Sequence, residues 1–172
     1  MSFVRAASKA GAFILYDPNI RSPHKDEINE LRALIYENIS LANMVRGSNE
    51  DFKTILDISS GAEAYELIKA QGCDYLVYTR SNVCVEIHHP EGMTEIKVPS
   101  VETLSTIGAG DSFNAGLIYE LFQSEGPSKN ISAVKLEKMA RTAISFGSHV
   151  CTHYENYISE DFAETMILDS RF

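Results

Sequence analysis

The sequence predicts an α/β protein with a mostly parallel sheet and one antiparallel hairpin. In the first part of the chain, short apolar runs alternate with segments of helical spacing, which is typical of parallel strands joined by crossover helices. Two further strands, at 75–79 and 83–88, are separated by a tight link, which indicates a hairpin. The remainder of the chain has the apolar periodicity of long helices.

Each element of this fold has its own signal. The chain opens with a helix that closes on Gly11, a residue suited to a helix end. Ser48 precedes another helix, and Asp51 stands three residues later, at the spacing of a capping box. The other predicted elements are strands at 12–16, 41–45 and 95–98 and helices at 24–38, 62–71, 111–123, 132–150 and 159–168. The apolar side of the helix at 111–123 comprises Phe113, Leu117, Ile118, Leu121 and Phe122.

The composition is that of one soluble globular domain covering residues 1–172. Of these residues, 44% are hydrophobic and 23% are charged, and we find no repeat or linker that would divide the chain. The net charge of −9 disfavours a nucleic-acid or anionic-membrane partner, and no apolar run is long enough to span a bilayer. The three cysteines (Cys73, Cys84 and Cys151) lack metal-like spacing, which indicates reduced thiols in the cytoplasm.

The most informative stretch is a small-residue turn directly before the helix at 111–123. Gly108, Ala109 and Gly110 let successive backbone N–H groups point the same way and let a ligand approach the main chain. The helix N-terminus adds a positive dipole end, so the turn predicts an anion site without a basic side chain. Asp111 places a carboxylate there, which could accept the proton of a hydroxyl that attacks a phosphate.

Other interpretations of this stretch have to be weighed. Asp111 is equally well explained as an ordinary residue of a helix N-terminus, with the glycines serving only the turn. A phosphate-binding loop of the Gly-Lys-Ser/Thr type is excluded because no lysine follows Gly110. The dinucleotide-binding fingerprint is excluded as well, because its third glycine would fall on Phe113.

The stretch from Thr106 to Gly116 resembles the C-terminal signature of the ribokinase-like (PfkB) carbohydrate kinases, written Asp-Thr-x-Gly-Ala-Gly-Asp. The resemblance implies a three-layer αβα fold and ATP-dependent phosphorylation of a small sugar, with Mg²⁺ as the second cofactor. It makes Asp111 the catalytic base and the N–H groups of the three small residues before it the anion hole for the γ-phosphate. Thr106, Asn114 and His149 would then lie on the nucleotide side.

Two departures from the family pattern concern the cation and the nucleotide. The family's first Asp, in a region that helps relatives hold a monovalent cation, is Ser105 here, which places cation activation in doubt. The hairpin aligns with a Thr-x-Gly-x-x-Gly segment that lies along the nucleotide, which implies nucleotide contacts for Thr79, Arg80 and Ser81. Ser81 and Cys84 replace both glycines, and their side chains would reshape that contact. Arg80 is either a phosphate contact or an exposed hairpin residue.

A turn of sequence Asp-Pro-Asn-Ile-Arg follows the first strand, at the sheet edge where α/β proteins bind ligands. It is either a structural turn or, by resemblance to fructokinases and 2-keto-3-deoxygluconate kinases, a substrate-side segment with Asp17, Asn19 and Arg21. That resemblance favours a ketose or keto-sugar acid over a nucleoside. Ser48 and Asp51 occupy the family's Asn-x-x-Glu positions near magnesium and phosphate, and the capping box is the alternative explanation.

The histidines do not predict a metal centre. His88 and His89 are adjacent and would point to opposite faces of a strand. His149 and His153 could share a helix face, but no zinc-binding motif surrounds them. We therefore predict no directly ligated transition metal.

The resemblance runs from residue 12 to about 158, but it covers only the C-terminal half of the family's pattern. The family's N-terminal part, with most sugar-binding residues and a β-sheet lid, has no counterpart in it. We therefore expect little or no kinase activity from these 172 residues alone, and a half sheet invites self-association into a homo-oligomer. A degenerate nucleotide-binding module and a purely structural α/β domain are the alternatives, and the sequence does not identify the sugar.

Overall fold

The computed structural model describes residues 2–19, 28–123 and 130–169. The chain divides into two compact units, Met1–Lys97 and Val98–Phe172, so the prediction of a single domain stays a prediction. The first unit contains α1 (Ser2–Lys9), β1 (Leu15–Tyr16), α2 (Ile28–Leu41), β2 (Met44–Ser48), α3 (Asn49–Leu56), α4 (Gly61–Ala70), β3 (Leu76–Arg80), β4 (Cys84–His89) and β5 (Gly92–Lys97). The second unit contains α5 (Ala109–Gln123), α6 (Ala133–Cys151) and α7 (Glu160–Asp169).

The five strands form one sheet in the order β1-β2-β3-β4-β5. The first three strands are parallel, and β4 is antiparallel to both β3 and β5, so it alone runs against the others. This arrangement confirms the predicted α/β class with a mostly parallel sheet and an antiparallel hairpin. The parallel register brings Ser48 beside Thr79, which places the polar carboxyl ends of β2 and β3 next to each other.

One face of the sheet carries the core of the first unit. Val45, Leu76 and Tyr78 on this face join a cluster of buried apolar residues from α2, α3 and α4. Phe52 of α3 packs against Tyr78, with ring centroids 5.4 Å apart. Gly47 lies so close to Phe52 that an added Cβ would come within 2.8 Å of its ring. Burial of this apolar face is what holds the crossover helices on the sheet.

The second unit is built on the packing of α5 against α6. At their closest approach, a Cβ added to Gly116 would lie 2.6 Å from the Cα of Ala143. Glu120 is buried beside this contact; its carboxylate accepts from Thr142 Oγ1 at 3.2 Å and pairs with Lys138 Nζ at 2.8 Å. A small residue therefore lets the two helices approach closely, and large apolar side chains such as Leu117 and Leu121 are buried on the same helix.

Some predicted elements differ in the structure. The strands predicted at 41–45 and 95–98 are Met44–Ser48 and Gly92–Lys97. The first strand, predicted at 12–16, is only the two residues of β1, because the residues before it bond to Asn43 instead: Ile14 N–H donates to Asn43 Oδ1 at 2.8 Å. The predicted apolar side of α5 was wrong at Ile118 and Phe122, which are 45% and 62% exposed. Because α5 meets α6 through Gly116 and Glu120, the face it buries is rotated away from these two side chains. Within the described ranges, every helix is too short or too polar to cross a bilayer.

Candidate active site

The loop that leads into α5 is fixed by hydrogen bonds to its own unit. Leu104 N–H donates to the carbonyl of Cys151 at the end of α6, at 2.8 Å. Ile107 N–H donates to Ser105 Oγ at 3.2 Å, so the serine that replaces the family's aspartate serves the turn here. Ala109 N–H donates to the Thr106 carbonyl at 3.3 Å, which closes the turn just before the helix.

Gly108 is required at its position for two independent reasons. Its φ of +81° lies in the left-handed region, which side-chain-bearing residues adopt only at a cost. A Cβ at this position would also lie 2.4 Å from the carbonyl oxygen of Asn156. Both the backbone turn and the close approach of another segment therefore depend on the missing side chain.

The first turn of α5 presents backbone donors at this loop. The opening N–H groups of a helix have no acceptor within the helix. Of those in α5, Ala109 N–H is bonded back to the turn, and Ser112 N–H donates to the Gly108 carbonyl at 2.9 Å. The N–H groups of Gly110 and Asp111 lie between these two bonds, where the positive end of the helix dipole favours an anion.

The carboxylate of Asp111 stands at the third residue of α5 and is exposed to solvent. An exposed carboxylate beside an anion-binding helix terminus can accept a proton from a bound hydroxyl. It would also stabilise the helix dipole without any ligand. Its placement is therefore compatible with the predicted base and with the purely structural alternative.

The other predicted nucleotide-side residues of this unit occupy different settings. Thr106 is exposed in the turn, and Asn114 is half-buried one turn of α5 beyond Asp111. His149 lies on α6, where its Nε2 accepts from Ser159 N–H at 3.3 Å and lies 3.2 Å from Ser159 Oγ. Its ring stacks on Phe162 of α7, with centroids 4.2 Å apart. These contacts give His149 a structural task, and its nucleotide role stays a prediction.

We expect the docking of α7 on α6 to weaken as the pH falls. Burial, and then His153, lower the pKa of His149 below its ordinary value of about 6.5. A depressed histidine pKa means that the folded state favours neutral imidazole, so its stabilisation is present above about pH 6.5 and is lost as the pH falls through the folded value. The protection factors of the α7 amides, which correct for the base-catalysed intrinsic exchange rate, should therefore be smaller at pH 5.5 than at pH 7.5.

The matched variant for this pH dependence is His149→Gln, which cannot titrate. It should show a smaller difference in the α7 protection factors between the two pH values. His89→Gln, in the first unit, controls for the loss of one imidazole. If His149→Gln keeps the full pH dependence, another group is responsible.

In the first unit, three polar side chains meet where the parallel strands end. Arg46 Nη1 donates to Asp17 Oδ2 at 2.9 Å, and Arg46 Nη2 donates to Thr79 Oγ1 at 3.2 Å. The Arg46 and Asp17 side chains are only 12% and 15% exposed. Two residues predicted separately, Asp17 and Thr79, are thus joined by an arginine that sequence reasoning did not assign. The available signal was a charged residue inside an otherwise apolar parallel strand.

The remaining predicted residues of the first unit are turn and cap residues. Ser48 and Asp51 form the predicted capping box, which is confirmed: Asp51 N–H donates to Ser48 Oγ at 3.1 Å, and Ser48 N–H donates to Asp51 Oδ2 at 2.9 Å. Asn19 N–H donates to Asp17 Oδ1 at 3.1 Å, while Arg21 lies outside the described residues. Arg80 is half-exposed and lies 3.6 Å from Glu86, which favours the hairpin interpretation over the phosphate one.

Ser81 and Cys84 stand at the two positions of the hairpin where the family has glycine. Ser81 adopts a φ of +50°, a conformation that glycine accepts more readily than serine. Cys84 opens β4 as a buried residue. The departures at these two positions therefore leave the hairpin intact, and they change the side chains that it carries.

Polar groups at the carboxyl ends of parallel strands, and a glycine turn before a helix, are typical of α/β proteins that bind phosphorylated ligands. The family model described as pfkB family carbohydrate kinase matches residues 2–162, and the chain belongs to this family.

Individual relatives agree with this assignment. The chain is 33% identical to a fructokinase from Escherichia coli over 125 residues, which are 66% of this chain and 37% of that protein. It is 27% identical to aminoimidazole riboside kinase from Salmonella typhimurium over 117 residues, which are 68% of this chain and 37% of that protein. The chain thus spans little more than a third of the length of these relatives.

Solved structures share the fold. Aminoimidazole riboside kinase from Salmonella enterica, complexed with aminoimidazole riboside and an ATP analog, superposes with a TM-score of 0.81 at 22% identity, over 96% of this chain and 56% of that chain. Fructokinase from Vibrio cholerae, in a form with bound fructose, ADP and calcium ion, gives a TM-score of 0.80 at 22% identity, over 90% of this chain and 49% of that chain. The predicted ribokinase-like fold is therefore confirmed.

Proposed function

We propose that this chain supplies the phosphate-binding turn and the catalytic base of an ATP-dependent sugar kinase. The observation that carries the proposal is the start of α5, where Gly108 holds a left-handed turn against Asn156 and Asp111 follows in the first helical turn. The predicted phosphate donors were the N–H groups of Gly108, Ala109 and Gly110, but Ala109 N–H is bonded to the Thr106 carbonyl. The N–H groups of Gly110 and Asp111 would therefore bind the transferring phosphate as its charge redistributes. Asp111 would accept the proton of the attacking sugar hydroxyl.

The first unit offers residues for the cofactor that such a reaction uses. Bound Mg²⁺ neutralises the charge of the phosphates during transfer. Of the Asp51 carboxylate, Oδ2 is used by the capping box and Oδ1 is not, so Asp51 fits a water-mediated contact with such an ion. Asp17, held by Arg46, and Asn19 would lie on the substrate side.

The substrate class is a sugar with a free hydroxyl. Fructokinase and aminoimidazole riboside kinase both occur among the relatives, so the acceptor is a free ketose or a ribosyl compound. The Asp-Pro-Asn-Ile-Arg turn favours the ketose. A nucleotide-binding module without turnover is the second candidate, favoured by Ser81 and Cys84 at the family's glycine positions.

Calorimetric titration with ATP, with and without Mg²⁺, tests the phosphate-binding turn. The chain should bind ATP, and Gly108→Ala should weaken binding about tenfold or more. That variant combines a strained φ with a clash against Asn156, so the turn has to change its shape and the N–H donors move away from the phosphate. A tenfold loss of affinity corresponds to about 1.4 kcal/mol. Gly72→Ala is the matched control, because Gly72 also has a positive φ of +94° but nothing within 4 Å of its Cβ position.

Both glycine variants introduce backbone strain, but only Gly108→Ala changes the proposed phosphate site. Circular dichroism should show that both keep their secondary structure, and Gly72→Ala should bind ATP as the parent chain does. Equal ATP affinity in Gly108→Ala, or no heat with the parent chain, would overturn the proposed phosphate site.

A further inference from the structure

Three side chains with metal-ligand atoms lie together on the antiparallel hairpin of the first unit. Cys84 Sγ and one carboxylate oxygen each from Glu86 and Glu95 lie within 4.8 Å of one another. Cys84 and Glu86 stand two residues apart on β4 and therefore share a face, and Glu95 is the cross-strand partner of Glu86 on β5. The proposed kinase role uses none of these three side chains.

The spacing of these atoms is close to what one ion needs. A tetrahedral zinc ion binds sulfur at about 2.3 Å and carboxylate oxygen at about 2.0–2.2 Å, so its ligand atoms lie roughly 3.5 Å apart. The three ligand atoms lie within 4.8 Å of one another, so side-chain movements of about 1 Å or less bring them to this spacing. Glu95 is exposed and can make that adjustment by side-chain rotation, whereas Cys84 is buried.

A buried hydroxyl provides a second, independent indication of a ligand. Tyr78 is 1% exposed, and its hydroxyl has no hydrogen-bond partner among the described residues. Tyr78 lies directly across from Glu86 in the β3–β4 register, so their side chains share a face. A water bound to an ion beside Glu86 would give the hydroxyl a partner.

Glu86 is oriented by the groups behind it. His88 Nε2 lies 3.1 Å from Glu86 Oε2, and the His88 ring stacks on Tyr65 with centroids 5.3 Å apart. The backbone at Gly61 approaches so closely that a Cβ there would lie 2.1 Å from Glu86 Oε2. A histidine bonded to a ligating carboxylate fixes that carboxylate in many metal sites. Arg80 competes for Glu86 at 3.6 Å, but its side chain is 48% exposed and can turn into solvent.

We propose that Cys84, Glu86 and Glu95 bind a divalent transition-metal ion of the zinc class. One thiolate with two carboxylates suits zinc or cobalt, whereas Mg²⁺ and Ca²⁺ take oxygen ligands alone. Water completes the tetrahedral set, and the thiol proton is displaced to solvent when the ion binds. Cysteine and histidine spacing gave no sign of this site, because two of its ligands are carboxylates and the set comes from two strands.

Cobalt titration of the purified chain tests the site, because a thiolate ligand gives Co²⁺ an intense near-ultraviolet charge-transfer band. We expect one Co²⁺ per chain, displaced by Zn²⁺. Cys84→Ser should abolish the band, and Glu95→Gln should weaken Co²⁺ binding at least about tenfold. Cys151→Ser, which removes a different thiol, and Glu91→Gln, which removes an exposed carboxylate outside the cluster, should change neither.

Specific results of the cobalt titration would overturn the proposed metal site. A band that is absent from the parent chain, that persists in Cys84→Ser, or that disappears in Cys151→Ser would overturn the proposal. If Cys84→Ser fails to fold, Glu95→Gln decides, because Glu95 is exposed and its replacement leaves the hairpin packing unchanged. Unchanged Co²⁺ affinity in folded Glu95→Gln would also overturn it.

Discussion

In a catalytically active form of the kinase that contains this chain, Asp111→Asn should lower kcat by roughly a hundredfold to ten-thousandfold, the range for loss of a general base. Asparagine keeps the size of the side chain and can still face the helix N-terminus, but it cannot accept the proton of a sugar hydroxyl. ATP affinity should stay within a fewfold, because the proposed phosphate donors are backbone N–H groups. Steady-state kinetics with calorimetric ATP titration measures both quantities.

The control for Asp111 is Asp161→Asn, which makes the same change in the first turn of α7. Both aspartates are exposed and acidic at a helix start, so both variants lose a similar favourable interaction with a helix dipole, about 0.3–1 kcal/mol. Only the Asp111 variant should lose turnover. If both variants retain turnover, Asp111 is an ordinary helix-terminus residue and the kinase proposal loses its base.

Local patterns were enough to predict most of the fold. The strand and helix signals lie within short windows, and the capping box at Ser48 and Asp51 is a contact between neighbours in sequence. The turn at Gly108 could also be predicted, because small residues before a helix carry the signal by themselves. Its second constraint could not, since Asn156 approaches Gly108 from a distant part of the chain.

Contacts between distant residues account for what sequence reasoning missed. Arg46 gains its importance only because the sheet brings Asp17 and Thr79 to its two amino groups. Helical periodicity likewise predicted that Ile118 and Phe122 would be buried, but both are exposed. Periodicity reports where apolar residues recur along a helix, and it does not report how closely two helix backbones approach. The periodicity was right for Phe113, Leu117 and Leu121, which are buried, but it gave no signal for the close contact at Gly116.

Replacement of that glycine should cause a large loss of stability. Gly116→Ala should lower the free energy of unfolding of the second unit by roughly 1–3 kcal/mol, the usual cost of overpacking a tight contact. The new Cβ would lie 2.6 Å from Ala143 Cα and 3.0 Å from Ala143 N, which are backbone atoms that cannot rotate away. The better helix propensity of alanine offsets about 1 kcal/mol at most. Denaturant unfolding followed by circular dichroism measures the change.

The same pair of helices supplies the control for this variant. Gly147 lies on α6, where an added Cβ would be 3.3 Å from the Ala109 carbonyl oxygen and no nearer than 3.7 Å to any other neighbour. Gly147→Ala should therefore change the free energy of unfolding by less than about 1 kcal/mol, because helix propensity and mild crowding oppose each other. Equal destabilisation by both variants would mean that the helices tolerate no added methyl anywhere. Stability unchanged in Gly116→Ala would mean that α5 and α6 can separate without cost, and the close contact at Ala143 would then not define their packing.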